Sequence, residues 1–358
     1  MLNNEMTERL KIKYPIIQAP MAGGVTTSKL VAEVSNGGGL GMIGAGYMTP
    51  VQLREQIREI KQLTTFPFGV NLFVPNEFKV SENEMKSANQ FLNPIRQQLN
   101  LHQSDNFKLP NFNDVLEKFI EQIKVVIEEK VPICSFTFGI PSKNLIAELK
   151  QSNIILMGTA TTVEEAVENE KAGMDIVVAQ GSEAGGHRGN FINRSQDSLI
   201  GLMSLIPQVA DKVSIPVVAA GGIMDGRGLM ASICLGAMGV QMGTAFLTCV
   251  ESGAHKVHKD AILHSNEDQM VLTRSFSGKS ARGIKNQFIL EMQKHETLLP
   301  DFPVQNTLTQ DIRKTSAAQN NQEFMSLWSG QSPSLAKSQT VESLIKNIIS
   351  EANGLILR

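Results

Sequence analysis

The chain of 358 residues carries 42% hydrophobic and 19% charged residues, a balance that fits a globular protein with one large core. A net charge of -2 and an aromatic content of 5% exclude a basic, base-stacking nucleic-acid surface. The polar, acidic start Met1-Leu-Asn-Asn-Glu5 is unlike a signal peptide and no apolar run approaches the ~20 residues of a membrane span, so no membrane association and a cytoplasmic location are expected.

Short apolar runs alternate with helical patterns along the chain. Strands are predicted at residues 16–20, 40–45, 68–74, 133–138, 155–160, 176–180, 217–220 and 240–246. Between them, residues 28–36, 51–63, 113–129, 142–151 and 163–172 space their apolar side chains by three and four, the helical period. Thr162 followed by Glu165 predicts a capping box, and Gly173 ends that helix. Strands apolar on both faces that alternate with helices predict a parallel sheet. Eight such units predict an α/β fold, the closed (β/α)8 TIM barrel. Residues 1–250 are assigned to the barrel, and residues 76–110, rich in Asn, Gln and charge, read as an insertion after the third strand on the active face. Residues 251–358 read as the last barrel helix with an extension that covers that face. Periodicity in Phe324-Met-Ser-Leu-Trp328 and in residues 344–349 predicts that this tail is folded.

In a barrel the carboxyl ends of all strands converge on one mouth, where ligands bind. The sixth strand leads into Gln180-Gly-Ser-Glu-Ala-Gly-Gly-His-Arg-Gly189, which sets His187 in a glycine-dense strand-end loop. Glycine there lets backbone approach a ligand closely. Ala219-Ala-Gly-Gly-Ile223 ends the seventh strand, and Gln241-Met-Gly-Thr244 lies in the eighth. These are the strands at which barrels commonly grip a phosphate, and Gly221, Gly222, Gly243 and Thr244 supply that kind of cradle. Asn71, Gln180 and Gln241 are amides at strand positions, and each needs a partner because an unpaired buried amide costs about 1–3 kcal/mol. A planar heterocycle with several donors and acceptors would serve all three.

Other motifs fail on context. Gly39-Leu-Gly-Met-Ile-Gly44 matches a dinucleotide fingerprint but follows a helix and is itself a strand. His255 and His258, flanked by lysines, read as a solvated helix face, and no metal site is expected. Cys134, Cys234 and Cys249 lack metal spacing and read as small buried hydrophobes in a reducing compartment.

With Gln18-Ala-Pro-Met21, Gly69-Val-Asn71, Gly181-Ser-Glu-Ala-Gly-Gly-His-Arg-Gly189, Ala220-Gly-Gly-Ile223, Met242-Gly-Thr-Ala-Phe246, Gly278-Lys-Ser-Ala-Arg-Gly283 and Trp328-Ser-Gly-Gln331, nearly the whole chain resembles the bacterial class I nitronate monooxygenases. The resemblance implies a TIM barrel with noncovalent FMN, contacted by Asn71, Gln180, Gly185, Gly222, Gln241, Met242, Gly243 and Thr244, with Met21 close to the flavin ring. It implies oxidation of an alkyl nitronate, such as propionate 3-nitronate, by O₂ to a carbonyl compound plus nitrite or nitrate, a detoxification role. His187 matches the active-site histidine: a base toward neutral nitroalkanes, or a binder of negative charge for an anionic nitronate. Phe302 departs from the family by standing where relatives often carry tyrosine. Arg188, Arg282 and Lys285 are candidate cations for the substrate anion, and the assembly expected is a monomer or homodimer.

The nearest alternative is the FMN-dependent enoyl-acyl-carrier-protein reductase, which shares the barrel, the flavin and a Gly-Gly-His loop; Arg188-Gly189 and the long tail favour the nitronate enzyme. A flavin-free phosphate-binding isomerase or lyase would call for a strand-end lysine or paired carboxylates, which are absent. A noncatalytic flavin-binding or scaffold protein would leave His187 without a purpose.

Overall fold

Eight apolar runs become the strands of one parallel sheet in a computed structural model that describes residues 2–101, 109–192 and 198–356. They are β1 (Ile16–Gln18), β2 (Gly41–Gly44), β3 (Phe68–Phe73), β4 (Ile133–Thr137), β5 (Ile155–Ala160), β6 (Ile176–Gln180), β8 (Val217–Ala220) and β9 (Gly239–Met242); the two-residue β7 (Gly186–His187) lies outside this sheet. Their order is β1-β9-β8-β6-β5-β4-β3-β2, and a parallel bridge between Ile17 and Leu40 joins the two outer strands. The result is a (β/α)8 barrel. The period of two along each strand sorts its side chains: Ile176 and Val178 of β6 face the interior, whereas Val177 and Ala179 pack outward under the helices. Helix α1 (Glu5–Leu10) pushes Met6 and Leu10 into the interior cluster at the amino end, and each burial contributes about 1.5–3 kcal/mol. The carboxyl end faces the site.

The helices begin and end as their sequences dictate. Thr27 and Thr49 cap α2 (Ser28–Asn36) and α3 (Pro50–Leu63), the latter with Gln52 closing a reciprocal box. Thr162 caps α7 (Val163–Ala172), and Gly173 ends it in the left-handed conformation. The expected box is incomplete there. The buried Glu165 carboxylate instead accepts from Thr161 N and Oγ1, both at 2.7 Å, and from the backbone of Phe191 at 2.5 Å and Ile192 at 3.1 Å. It therefore ties α7 to the segment that leaves the His187 loop.

Two elements differ from the sequence reading. The eighth strand stops at Met242, and residues 244–247 turn helical as α10 (Thr244–Leu247) because Gly243, at φ -101° and ψ -73°, leaves the extended region. The segment 76–110 carries a helix, α4 (Glu82–Gln98), whose Ala88, Leu92 and Ile95 pack on Phe288, Met292, Leu308 and Ile312. Arg96, fully buried, anchors that contact: its Nε meets Asp311 at 2.8 Å and an Nη donates to the Leu308 carbonyl at 2.7 Å.

After β9 the chain crosses the mouth before it completes the barrel. Helix α11 (Lys256–Leu263) leads into β10 (Met270–Thr273) and β11 (Ala281–Ile284), which form an antiparallel sheet with β7. Helices α13 (Val304–Leu308) and α14 (Gln310–Ala318) follow, and α15 (Val341–Ile356) packs between α9 (Gly226–Cys234) and α2, where the eighth barrel helix belongs. Cys134 and Cys249 are buried, but Cys234, at the end of α9, is exposed, contrary to expectation. Among the described residues no helix is long and apolar enough to cross a membrane.

Candidate active site

The strand ends and the crossing segment enclose a cavity of about 750 Å³, within the ~300–1,000 Å³ usual for small-molecule and cofactor sites. Asn71, Gln180, Gly185, His187, Gly222, Gln241, Gly243 and Thr244 all line it. Met242 does not: its side chain is buried in the outer core with Ile16 and Phe246, because it alternates with the inward Gln241. Met21 lies at the same end as Gly243, at 4.0 Å from where a Gly243 Cβ would stand.

The three amides differ in what they have left to give. Asn71 donates to Ser135 Oγ at 2.8 Å and Thr137 Oγ1 at 3.0 Å, so both its N–H groups are used by β4. Gln180 braces the histidine loop: its Nε2 donates to the His187 carbonyl at 3.1 Å, and its Oε1 accepts from Gly189 N at 2.8 Å. Gln241 makes no side-chain hydrogen bond among the described residues and faces the cavity. Gln241 is therefore the amide of the three whose N–H donors are left for a ligand.

Opposite sides of the mouth supply different chemistry. Past β8, Gly222 holds φ +65°, and at Gly185 a Cβ would lie 2.5 Å from the backbone of Ser329 and Gly330. Only glycine lets these two backbones touch. Thr244 Oγ1 accepts from Gly330 N at 2.9 Å and so holds that crossing strap against β9. Across the mouth, past β2 to β4, stand Tyr47, Phe73 and Phe138, with ring centroids 5.5 and 4.6 Å apart in turn.

His187 sits among aromatic rings, with Trp328 at 5.5 Å and Phe138 and Phe302 each at 6.0 Å. Phe302 contributes an apolar face where a phenol was expected of relatives; the phenol in this cavity is Tyr47. His187 Nε2 lies 2.8 Å from Ser277 Oγ, which itself donates to the Lys279 carbonyl at 3.0 Å. A hydroxyl has one proton, so Nε2 carries the hydrogen and Nδ1 keeps a lone pair without a partner among the described residues. Burial, then the charges of Lys279 and Arg313, push the imidazole pKa down to about 3. At neutral pH His187 is uncharged.

His258 is buried, not solvated, and donates from Nε2 to the Trp328 carbonyl at 2.9 Å. Burial pulls its pKa down to about 4. Both histidines fold with pKa values below the ordinary 6.5, so their contribution to stability is complete above pH 6.5 and is lost as pH falls toward 4 and 3. Each should remove on the order of 1 kcal/mol per pH unit in that window. Denaturant midpoints between pH 7.5 and 5 measure this. His258→Gln, which keeps a donor for the Trp328 carbonyl, should flatten the slope, and an unchanged slope would refute the assignment.

The expected substrate cations lie elsewhere. Arg188 is fully buried and donates to the carbonyls of Gly181, Gln180 and Ser198 at 2.5, 3.0 and 2.8 Å, holding the loop's own backbone. Arg282 is also buried, with Nε 3.0 Å from the Ser182 carbonyl, and Lys285 is exposed outside the cavity. Lys118, Arg313 and Lys314 line the cavity instead, and no Asp or Glu joins them among the described lining residues. Among the described residues no cluster of His, Cys, Asp or Glu could hold a metal ion.

Residues 3–351 match the model of the nitronate monooxygenase family. A probable nitronate monooxygenase of Staphylococcus haemolyticus (strain JCSC1435) is 54% identical over 356 residues, 99% of this chain and 98% of its own. Among solved structures, nitroalkane oxidase from Streptomyces ansochromogenes superposes with a TM-score of 0.89 at 36% identity, covering 98% of this chain and 99% of the other. FabK from Thermotoga maritima superposes with a TM-score of 0.78 at 32% identity, covering 100% and 98%.

Proposed function

Because the chain belongs to the nitronate monooxygenase family, we propose that it binds FMN noncovalently in this cavity and oxidises anionic alkyl nitronates with O₂ to carbonyl compounds plus nitrite or nitrate. The observation that carries the reading is a barrel mouth with three cationic side chains and no carboxylate among its described lining residues, facing a neutral histidine. Such a surface attracts anions and repels none. Propionate 3-nitronate is a suitable substrate, and a detoxification role in the cytoplasm is the proposal that goes with so reactive a compound.

The residues fit FMN. Gly221 and Gly222 leave backbone exposed where a Cβ would intrude, Thr244 retains its hydroxyl proton for an acceptor, and Gln241 has a free amide. Bound there, FMN would supply the electron transfer to O₂ that no side chain can provide. Trp328, Phe138 and Phe302 would exclude water around the reacting carbon. His187 Nδ1 offers a lone pair, but a base with a pKa near 3 is poorly matched to removing a proton from carbon at neutral pH. A preformed nitronate needs no such removal. Its negative charge would offset the nearby cations, raising the histidine's affinity for a proton and allowing Nδ1–H to donate to the substrate.

The test is spectroscopic and kinetic. The protein should purify yellow and release its flavin on denaturation. Under anaerobic stopped-flow conditions propionate 3-nitronate should bleach that colour rapidly, while NADH does so slowly or not at all. Fast bleaching by NADH with an inert nitronate would transfer the assignment to the enoyl reductase. A colourless protein that FMN cannot reconstitute would overturn the flavin reading.

A further inference from the structure

We propose that Arg313 is the specificity-determining residue of this cavity, its guanidinium holding the substrate's negative charge and so selecting anionic nitronates over neutral nitroalkanes. This rests on the nitronate reading above. Arg313 projects from α14 and lines the cavity. One Nη donates to the Asn306 carbonyl at 2.6 Å and to Asn306 Oδ1 at 2.9 Å, which fixes the side chain from α13. Its Nε is buried without a hydrogen-bond partner. Among the described residues no carboxylate forms an ion pair with it, and Asp311 on the same helix is taken by Arg96.

A largely desolvated cation with an idle donor and no directly paired carboxylate, Asp311 acting on it only from its pair with Arg96, is unfavourable unless a ligand completes it. The planar fork of guanidinium matches a two-oxygen anion such as a nitronate. Lys314 is exposed and Lys118 sits on α5 (Phe112–Glu128) without comparable fixing, so Arg313 is the preorganised cation of the three. Its charge acts on Tyr47, past β2, and on His187. It therefore stands on the histidine side of the cavity.

The experiment compares the flavin-loaded protein with its Arg313→Met, Arg313→Gln and Arg313→Lys variants. Trp328 is the only tryptophan in the chain and lines the cavity, so its fluorescence reports binding of inorganic nitrate, a planar anion, without turnover. Both neutral variants should weaken nitrate binding and raise the nitronate KM by roughly 10- to 100-fold. Binding of a neutral nitroalkane, read by the same fluorescence, and flavin content should stay unchanged, and Lys should restore part of the effect. Thermal midpoints of the neutral variants should stay at or above that of the parent, because an uncompensated, desolvated charge has been removed. Nitrate binding that falls in a protein inert toward nitronates would uphold Arg313 and sink the reaction. Unchanged nitrate binding and nitronate KM in a folded, flavin-replete neutral variant would overturn the role of Arg313.

Discussion

His187→Asn should fold, keep its flavin and lose activity toward nitronates: about 10²- to 10⁴-fold in kcat/KM for a group that transfers a proton, and a smaller loss concentrated in KM for one that only binds the anion. The native ring is held edge-on between Phe138 and Phe302 and is fixed through Nε2 to Ser277, so its Nδ1 points its chemistry at a defined spot. Asparagine is too short to satisfy Ser277 and present an acceptor or donor at that spot together. How the loss divides identifies the role. A histidine that transfers a proton in the rate-limiting step lowers kcat, whereas one that only gains a proton to bind the anion raises KM. The backbone of residue 187 stays tied to Gln180 and Ala281 in either case, so flavin content and thermal midpoint serve as controls. Unchanged kinetics in a flavin-replete variant would make the histidine structural.

The barrel is legible in the sequence because its chemistry is local. A strand buried on both faces must be apolar throughout, and β5, β6 and β8 coincide with their apolar runs residue for residue. Helix α4 is not legible in the same way, because its apolar side chains are diluted among Asn and Gln and their partners lie far downstream in the crossing segment. Those partners are Phe288, Met292, Leu308 and Ile312, and Arg96 of α4 reaches the Leu308 carbonyl across 212 positions of chain. The site divides along the same line. His187 announces itself through the glycines beside it, whereas Arg188 reads as a cation for the substrate anion until the fold brings the carbonyls of Gly181, Gln180 and Ser198 around it. Nothing in the sequence joins Arg313 to Tyr47. Their shared cavity exists only once α14 has crossed the mouth and met the loop past β2. His258 reads as solvated because its neighbours are lysines, yet the imidazole itself turns inward to Trp328.

Gly222→Leu should abolish flavin binding and, with it, activity, while leaving the barrel folded. Two effects act together at this position. The backbone holds φ +65°, a conformation that costs a side-chain-bearing residue about 1–3 kcal/mol. A Cβ there would also lie 3.2 Å from the Glu183 Cβ and 3.5 Å from Ser332 Oγ, and because Gly222 lines the cavity the bulk of a leucine would compete with a ligand for that space. The core beneath keeps its packing, since β8 ends at Ala220 and its Val217, Val218 and Ala219 stay buried in the barrel's own apolar clusters. The expected result is therefore a colourless protein whose far-ultraviolet circular dichroism matches the parent and whose thermal midpoint falls only by the local strain. Added FMN should not restore colour. Gly222→Ala separates the two effects, because it carries the strain without the bulk and should retain weakened but measurable flavin binding. A Gly222→Leu protein that purified with its full flavin complement would move the phosphate cradle away from the end of β8, and with it the orientation of the flavin in the mouth.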